Sequence, residues 1–430
     1  MLPKFVFIQQ TNQAAPRIGD PYGVVRAQIQ ALGLSGERFQ GKRIGITAGS
    51  RGIDRIPELV RAVADAVKDQ GGQPVIFAAM GSHGGGTAQG QREMLASLGI
   101  TEESVGAPVA CCEDCRSLGE TPSGFPVYYN ALVEGFDGLI VLNRVKTHTD
   151  FSDETESGLF KMFAIGIGNP QGCRNVHALA LSHGYGPVIR EVAQAMMDRF
   201  PVLCGVMVTE NWRSQLDSIR TALPQDFYAA ETERLAYVKD HQVKLPVKAC
   251  DVLLVGEIGK NISGAGMDTK VIGRMMVKGQ KEPPYPNIGR IVVRSVTEAS
   301  HGNAIGIGLA DFTTRKVVEG IDLHAMALNA ISSASPEQGR IPCVTETEEE
   351  ALTAALTTLG YEPADFSKAK MIYIKNTGAM ETMAVSQALF EELKDNPNIA
   401  LLRPAEELRF SSDGELLNYQ DVFWPEGQAL

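Results

Sequence analysis

The feature that most constrains this chain is a repeated order: a short apolar run rich in β-branched residues, a glycine-rich turn, then apolar residues at helical spacing. Arg43 to Thr47 (RIGIT) reads as a buried strand, and Ala48 to Gly52 as a turn. Asp54 and Pro57 open a helix to about Lys68, with Leu59, Val60, Val63 and Val67 on one face. Gly71 and Gly72 end it. Pro74 to Ala79 is a second strand, Met80 to Gly86 (MGSHGGG) a glycine loop, and Thr87 caps a helix that Gly99 closes. Such alternation predicts an α/β fold with a largely parallel sheet. Further strands are expected at Leu139 to Leu142 and Val202 to Thr209, and further helices at about 157–166, 174–181, 188–199 and 226–239.

Near Lys244 the pattern restarts. Strands are expected at Asp251 to Val255, Ile291 to Val296, Ile305 to Leu309 and Met371 to Ile374, and a capping box of Thr345 with Glu348 starts a helix. A chain of 430 residues favours more than one domain. The expectation is two α/β domains, 1–245 for catalysis and cofactor binding and 246–430 for gripping substrate. Their glycine-rich loops would face an interdomain active-site cleft, and the last residues would return to the first domain. In open α/β sheets, sites form at the carboxyl ends of the strands. Arg51, His83 and His148 each follow an expected strand, which places them on one rim.

Charge narrows the partners. The formal net charge is −11, which argues against nucleic acid or an anionic membrane as the main partner. No apolar run reaches a membrane span, and the start MLPKFVFIQQTNQ does not resemble a signal peptide, so the cytoplasm is expected. A homo-oligomer is compatible with these totals. The seven cysteines suggest no disulfide framework. Cys112 and Cys115, with Cys111 beside them, form a weak zinc half-site that lacks a second pair of matching spacing, and the role of the three is left open. His83 to Gly86 resembles an esterase oxyanion loop and Ser50 a degenerate nucleophile elbow, but their order along the chain is reversed. Neither a P-loop nor a GxGxxG after a strand is present.

The stretch Asn143 to His183 concentrates the chemistry. It holds His148, His177 and His183, with Lys161 inside an apolar, small-residue run. Burying an unpaired ammonium is costly, so Lys161 must reach water or meet a partner. The glycines after His83, Gly84 and Gly85 among them, allow close backbone approach, and the helix start beyond them favours an anion. Arg144 and Lys146 beside His148 favour a neutral imidazole suited to a general base. His183 reads as a helix end, and His241, His301 and His324 as surface or structural residues. In the second domain, Lys260 and Arg274 suit a carboxylate, and equally an ordinary charged loop.

Taken in order, Met80-Gly-Ser-His83-Gly-Gly, Arg144-Val-Lys-Thr-His148, Glu156-Ser-Gly-Leu-Phe-Lys161-Met and Asn175-Val-His177 resemble the nickel-pincer-dependent lactate racemase family of 2-hydroxyacid racemases and epimerases. The resemblance covers the first domain well and the second more loosely. It implies an isomerase inverting C2 of a 2-hydroxy acid by hydride transfer to a cofactor and back. The implied cofactor is nickel bound to a pyridinium-3-thioamide-5-thiocarboxylic acid mononucleotide. His83 and His148 match the family's acid–base pair, Lys161 its covalent link, His177 its nickel ligand and Arg51 its assisting arginine. A non-catalytic homologue that only carries the cofactor or a metal is the alternative. The chain departs from the lactate pattern at Ala48, where an aspartate is usual, and at Gly273 and Met276, which replace a glutamine and a lysine. These departures imply a substrate other than lactate. The small Gly273 would leave room for a longer chain, such as an aldonic acid.

Overall fold

The computed structural model describes residues 2–11, 16–242 and 244–425. The chain divides into two compact units, Ala15–Gln242 and a second that joins Met1–Ala14 to Val243–Leu430. The leading strand, β1 (Phe5–Gln10), therefore belongs to the second unit, which differs from a first domain running 1–245.

In the first unit, β2 (Arg43–Ala48), β3 (Gln73–Ala78) and β4 (Val109–Ala110) precede a hairpin of β5 (Cys115–Glu120) and β6 (Pro126–Asn130). Then come β7 (Gly138–Arg144), β8 (Val202–Glu210) and β9 (Leu216–Ala222). The main sheet has the order β4-β3-β2-β7-β8-β9 and is parallel except between β8 and β9. Residues alternate between two cores. Val75, Phe77, Leu139 and Val141 enter one, and Ile76, Ala78, Ile140 and Leu142 enter the other. Burial on both faces explains why these strands read as continuous apolar runs. Strand order reverses between β2 and β7, and that switch point is where an open α/β sheet leaves a crevice.

The second unit contains β10 (Ala249–Val255), β11 (Asn287–Val293), β12 (Phe312–Thr314), β13 (Cys343–Thr345), β14 (Met371–Asn376), β15 (Ala379–Ser386) and β16 (Ile399–Glu406). Its sheet runs β13-β12-β11-β10-β14-β15-β1-β16, parallel from β13 to β14 and antiparallel beyond. Two local expectations fail here. Ile305 to Leu309 is no strand: Gly306, at φ 95°, presses against the Ala265 carbonyl, and a 3-10 turn Ile307–Leu309 follows. Thr345 caps no helix. It ends β13 and donates to the Thr347 carbonyl, while Thr347 caps the helix Glu348–Thr357 by accepting from Glu350 N at 3.2 Å. Near the carboxyl end, Tyr419 stacks on Phe7 of β1 at 5.0 Å, so the described tail packs within the second unit; residues 426–430 lie outside the described residues.

Candidate active site

Strands β2 and β7 flank the switch point and β3 neighbours β2. The loops after these three strands carry Arg51, His148 and His83. Arg144, at the end of β7, pairs with Glu210, whose other oxygen accepts Asp54 N at 2.7 Å. This ties the β2 loop to the ends of β7 and β8. Arg51 is exposed on the rim, yet surrounding protein lowers its pKa, and Arg144 adds to the shift.

Lys161 ends a short α-turn, Leu159–Lys161, that continues as a π-helix through Met162–Ile167. Such wide turns are rare and frequent at functional sites. A buried carboxylate fixes the start of the turn. Glu231 Oε2 accepts Leu159 N at 2.5 Å and Phe160 N at 3.2 Å. Glycine is required at 158, because an added Cβ would lie 2.3 Å from the Glu231 carboxyl carbon. Burial pushes Glu231 up to about 7 in spite of the two amides. Lys161 has no hydrogen bond or ion pair among the described residues. Burial pulls its amine down to about 8; Asp150 opposes the shift and Arg51 reinforces it.

His177 stands on the helix Asn169–His183. Burial, then the charges of Lys161 and His83, pull it down to about 4. His177 therefore feels the charges of both Lys161 and His83. His177 Nδ1 lies 3.0 Å from Tyr185 Oη. The Tyr185 ring lies parallel on Phe151 at 4.7 Å, and Phe151 stacks on His148 at 4.4 Å. His148 is thus linked to His177 through two buried aromatic rings.

Hydrogen bonds give the two remaining imidazoles opposite tautomers. His83 Nδ1 lies 3.0 Å from the Met80 carbonyl, which can only accept, so Nδ1 carries the hydrogen and Nε2 the lone pair. His148 Nδ1 accepts Asp150 N at 3.0 Å, so in the neutral ring its hydrogen sits on Nε2. The His148 loop is held by the buried Glu156, which accepts His148 N at 2.6 Å and pairs with Lys239 at 2.7 Å.

Other expected residues are placed as follows. Gly84 and Gly85 both have φ 65°. Gly84 packs against Gly90, where a Cβ would meet backbone at 2.5 Å, and Gly85 has open space. The helix start beyond them differs from an open anion site: Ala88 N donates to Glu113 at 3.0 Å, so a carboxylate of the chain already occupies it. Lys260 and Arg274 belong to the second unit. Lys260 Nζ donates to Asn329 at 2.9 Å, and Arg274 donates to the Leu309 carbonyl at 2.7 Å and pairs with Asp311 at 2.9 Å. Gly273 leaves no room for substrate. Its φ is 64°, and a Cβ would lie 1.8 Å from the Pro286 carbonyl, so glycine answers a tight turn there. Cys115 donates to the Gly168 carbonyl at 3.3 Å, and among the described residues no group of three or more His, Cys, Asp or Glu is arranged to hold a metal ion. A pincer cofactor brings its own carbon and sulfur donors, so one protein imidazole suffices. A neutral His177 and a lysine amine of lowered pKa fit that demand.

Sequence reasoning missed Tyr185 and Glu231, and gave Glu156 no role of its own. Glu231 left a signal: with Phe227 and Leu235 it repeats every four residues, a charge on an otherwise buried face. Tyr185 left none.

A doubly wound sheet with a histidine-rich switch point defines the class of this first unit. Residues 50–186, which span Arg51, His83, His148, Lys161, His177 and Tyr185, match the model of the lactate racemase N-terminal domain. The fold of the chain is similar to a crystal structure of a protein from Thermotoga maritima, with 12% identity over 84% of this chain and 96% of that one and a TM-score of 0.51. It is also similar to the lactate racemase apoprotein from Thermoanaerobacterium thermosaccharolyticum, with 14% identity over 87% and 99% and a TM-score of 0.53. No curated protein matches the chain. Among the described residues, no helix is long and apolar enough to cross a membrane.

Proposed function

We propose that the chain is a racemase or epimerase of a 2-hydroxy acid that works with a nickel-pincer cofactor. The observation that carries this reading is a pair of histidines in opposite tautomers, His83 and His148, with a Lys161 that has no hydrogen bond or ion pair among the described residues and a neutral His177. When bound, the cofactor supplies reversible acceptance of a hydride from C2 of the substrate. Lys161 would hold it: with its pKa near 8, part of the amine is unprotonated and nucleophilic at neutral pH. His177 keeps its lone pair available for nickel, since its pKa near 4 leaves it uncharged above that pH. His83 Nε2 takes the hydroxyl proton of one enantiomer, while His148 Nε2–H hydrogen-bonds the same oxygen. For the other enantiomer the two rings exchange these duties, which asks His148 to release Asp150 N and change tautomer. Arg51 offers the substrate carboxylate a charge-assisted hydrogen bond.

The substrate proposed is a 2-hydroxy acid other than lactate, on the strength of Ala48 and Met276 alone, since Gly273 opens no space for a longer chain. The test uses protein made in a host that synthesises the cofactor. Nickel is measured, the mass added to Lys161 is read, and enantiopure acids from lactate and malate to aldonates are followed by optical rotation. Label at C2 of a deuterated substrate is expected to stay on carbon through inversion. Loss of the label to solvent would reject hydride transfer, and turnover of lactate alone would reject the substrate assignment. Nickel loading with no inversion of any acid would favour a cofactor carrier.

A further inference from the structure

A histidine that binds a metal must also have its ring held at the right angle. His177 reaches the site from the helix Asn169–His183, and one side chain holds its far nitrogen. The Tyr185 hydroxyl lies 3.0 Å from His177 Nδ1, and the two rings meet nearly edge to face at 5.5 Å. Tyr185 is itself well fixed. It is buried, it opens the helix Tyr185–Arg199, and its ring lies within 7° of parallel to Phe151.

We infer that Tyr185 is a positioning residue: its hydroxyl orients His177 so that Nε2 is presented to nickel, and its ring, through Phe151, keeps that placement in step with His148. The inference rests on the functional reading above. An imidazole bound to metal through Nε2 carries its hydrogen on Nδ1, which then needs an acceptor. A phenol hydroxyl can both donate and accept, so one contact serves both the loaded and the unloaded ring. Outer partners of this kind are commonly worth about 10–100-fold in metal affinity. The sequence of contacts also means that His177 meets, edge on, one end of a stack of Tyr185, Phe151 and His148.

Tyr185→Phe removes the hydroxyl and keeps the stacked ring. In cofactor-free protein with 15N-labelled histidine, His177 is expected to show one neutral tautomer in the wild type and an exchanging mixture in Tyr185→Phe. In loaded protein, the chelator concentration that strips half the nickel is expected to fall about 10–100-fold in the variant, with the mass on Lys161 unchanged. Tyr185→Leu, which also removes the ring, is expected to shift the His148 resonances that Tyr185→Phe leaves in place. Nickel held equally by wild type and Tyr185→Phe, with an unchanged His177 spectrum, overturns the inference alone. Nickel absent from wild-type protein made with the cofactor supplied overturns the functional reading, while the His177 spectra still decide whether Tyr185 holds that ring.

Discussion

Arg294 of the second unit and Lys161 of the first are both cations withdrawn from water, and they are treated in opposite ways. In the second unit Arg294 is 7% exposed, and its guanidinium is satisfied. It donates to Glu348 at 2.9 Å and to the Leu416 carbonyl at 3.0 Å, and also to Tyr373. Burial works against its charge, but Tyr373 and Glu348 more than offset it, and its pKa rises. In the first unit Lys161 has no such partner among the described residues, and its pKa falls to about 8. Paired, an enclosed cation is part of the scaffold. Without such a partner the Lys161 amine is held at a lowered pKa, which is what the proposed role as nucleophile would need.

That contrast can be broken by mutation. The largest effect is expected from Lys161→Ala. The cofactor mass and racemisation are lost, on the order of 10³-fold or more in rate, while the melting temperature holds or rises. A marked drop in melting temperature would mean that Lys161 is structural. Next comes Arg294→Met, which leaves Glu348 buried without its partner; denaturant unfolding should show a loss of about 3–5 kcal/mol. Stability equal to wild type would remove one side of the contrast.

Glu231→Ala should cost about 1–3 kcal/mol, because the Leu159 and Phe160 amides lose their acceptor, and should reduce loading of Lys161. Glu231→Gln keeps an acceptor and separates shape from charge. The folded pKa near 7 lies above the ordinary 4.5, so the protonated carboxyl favours the folded state most below 4.5, and that contribution is lost as pH rises through 7. The stability of Glu231→Gln relative to wild type should therefore climb between pH 4.5 and 7. A flat difference would show that the carboxylate ionises normally.

The smallest effect is a shifted titration. Competitive labelling by an amine-reactive reagent, read by mass spectrometry on cofactor-free protein, should give Lys161 a midpoint near 8 rather than 10.5. The folded value lies below the unfolded one, so the burial penalty is full below pH 8 and relieved between 8 and 10.5. A midpoint near 10.5 would return Lys161 to the class of solvated lysines.

The central strands of the first unit, β2, β3, β7 and β8, were readable because they are buried on both faces, whereas β4, β9 and the β5–β6 hairpin went unread. Arg43 to Ala48 and Gln73 to Ala78 leave little ambiguity of period or length. Arg51, His83 and His148 could be expected on one rim because each falls just after an expected strand of a parallel sheet. Ile305 to Leu309 misled because an apolar run looks alike whether it enters a sheet or a tight turn. Thr345 misled because Glu348, its apparent capping partner, turns inward to Arg294. Tyr185 was invisible because its role lies in a contact with His177 made across a helix break, and Gly273 because a glycine shows no sign of what fills its missing side chain.

The pairing of β1 between β15 and β16 has a practical corollary. The first unit is an insertion, entered after one strand of its host and left before the next. A fragment of residues 16–242 keeps every strand of its own sheets. A fragment beginning at 244 lacks an interior strand and leaves β16 without a neighbouring strand among the described residues, so the two units are not equally separable.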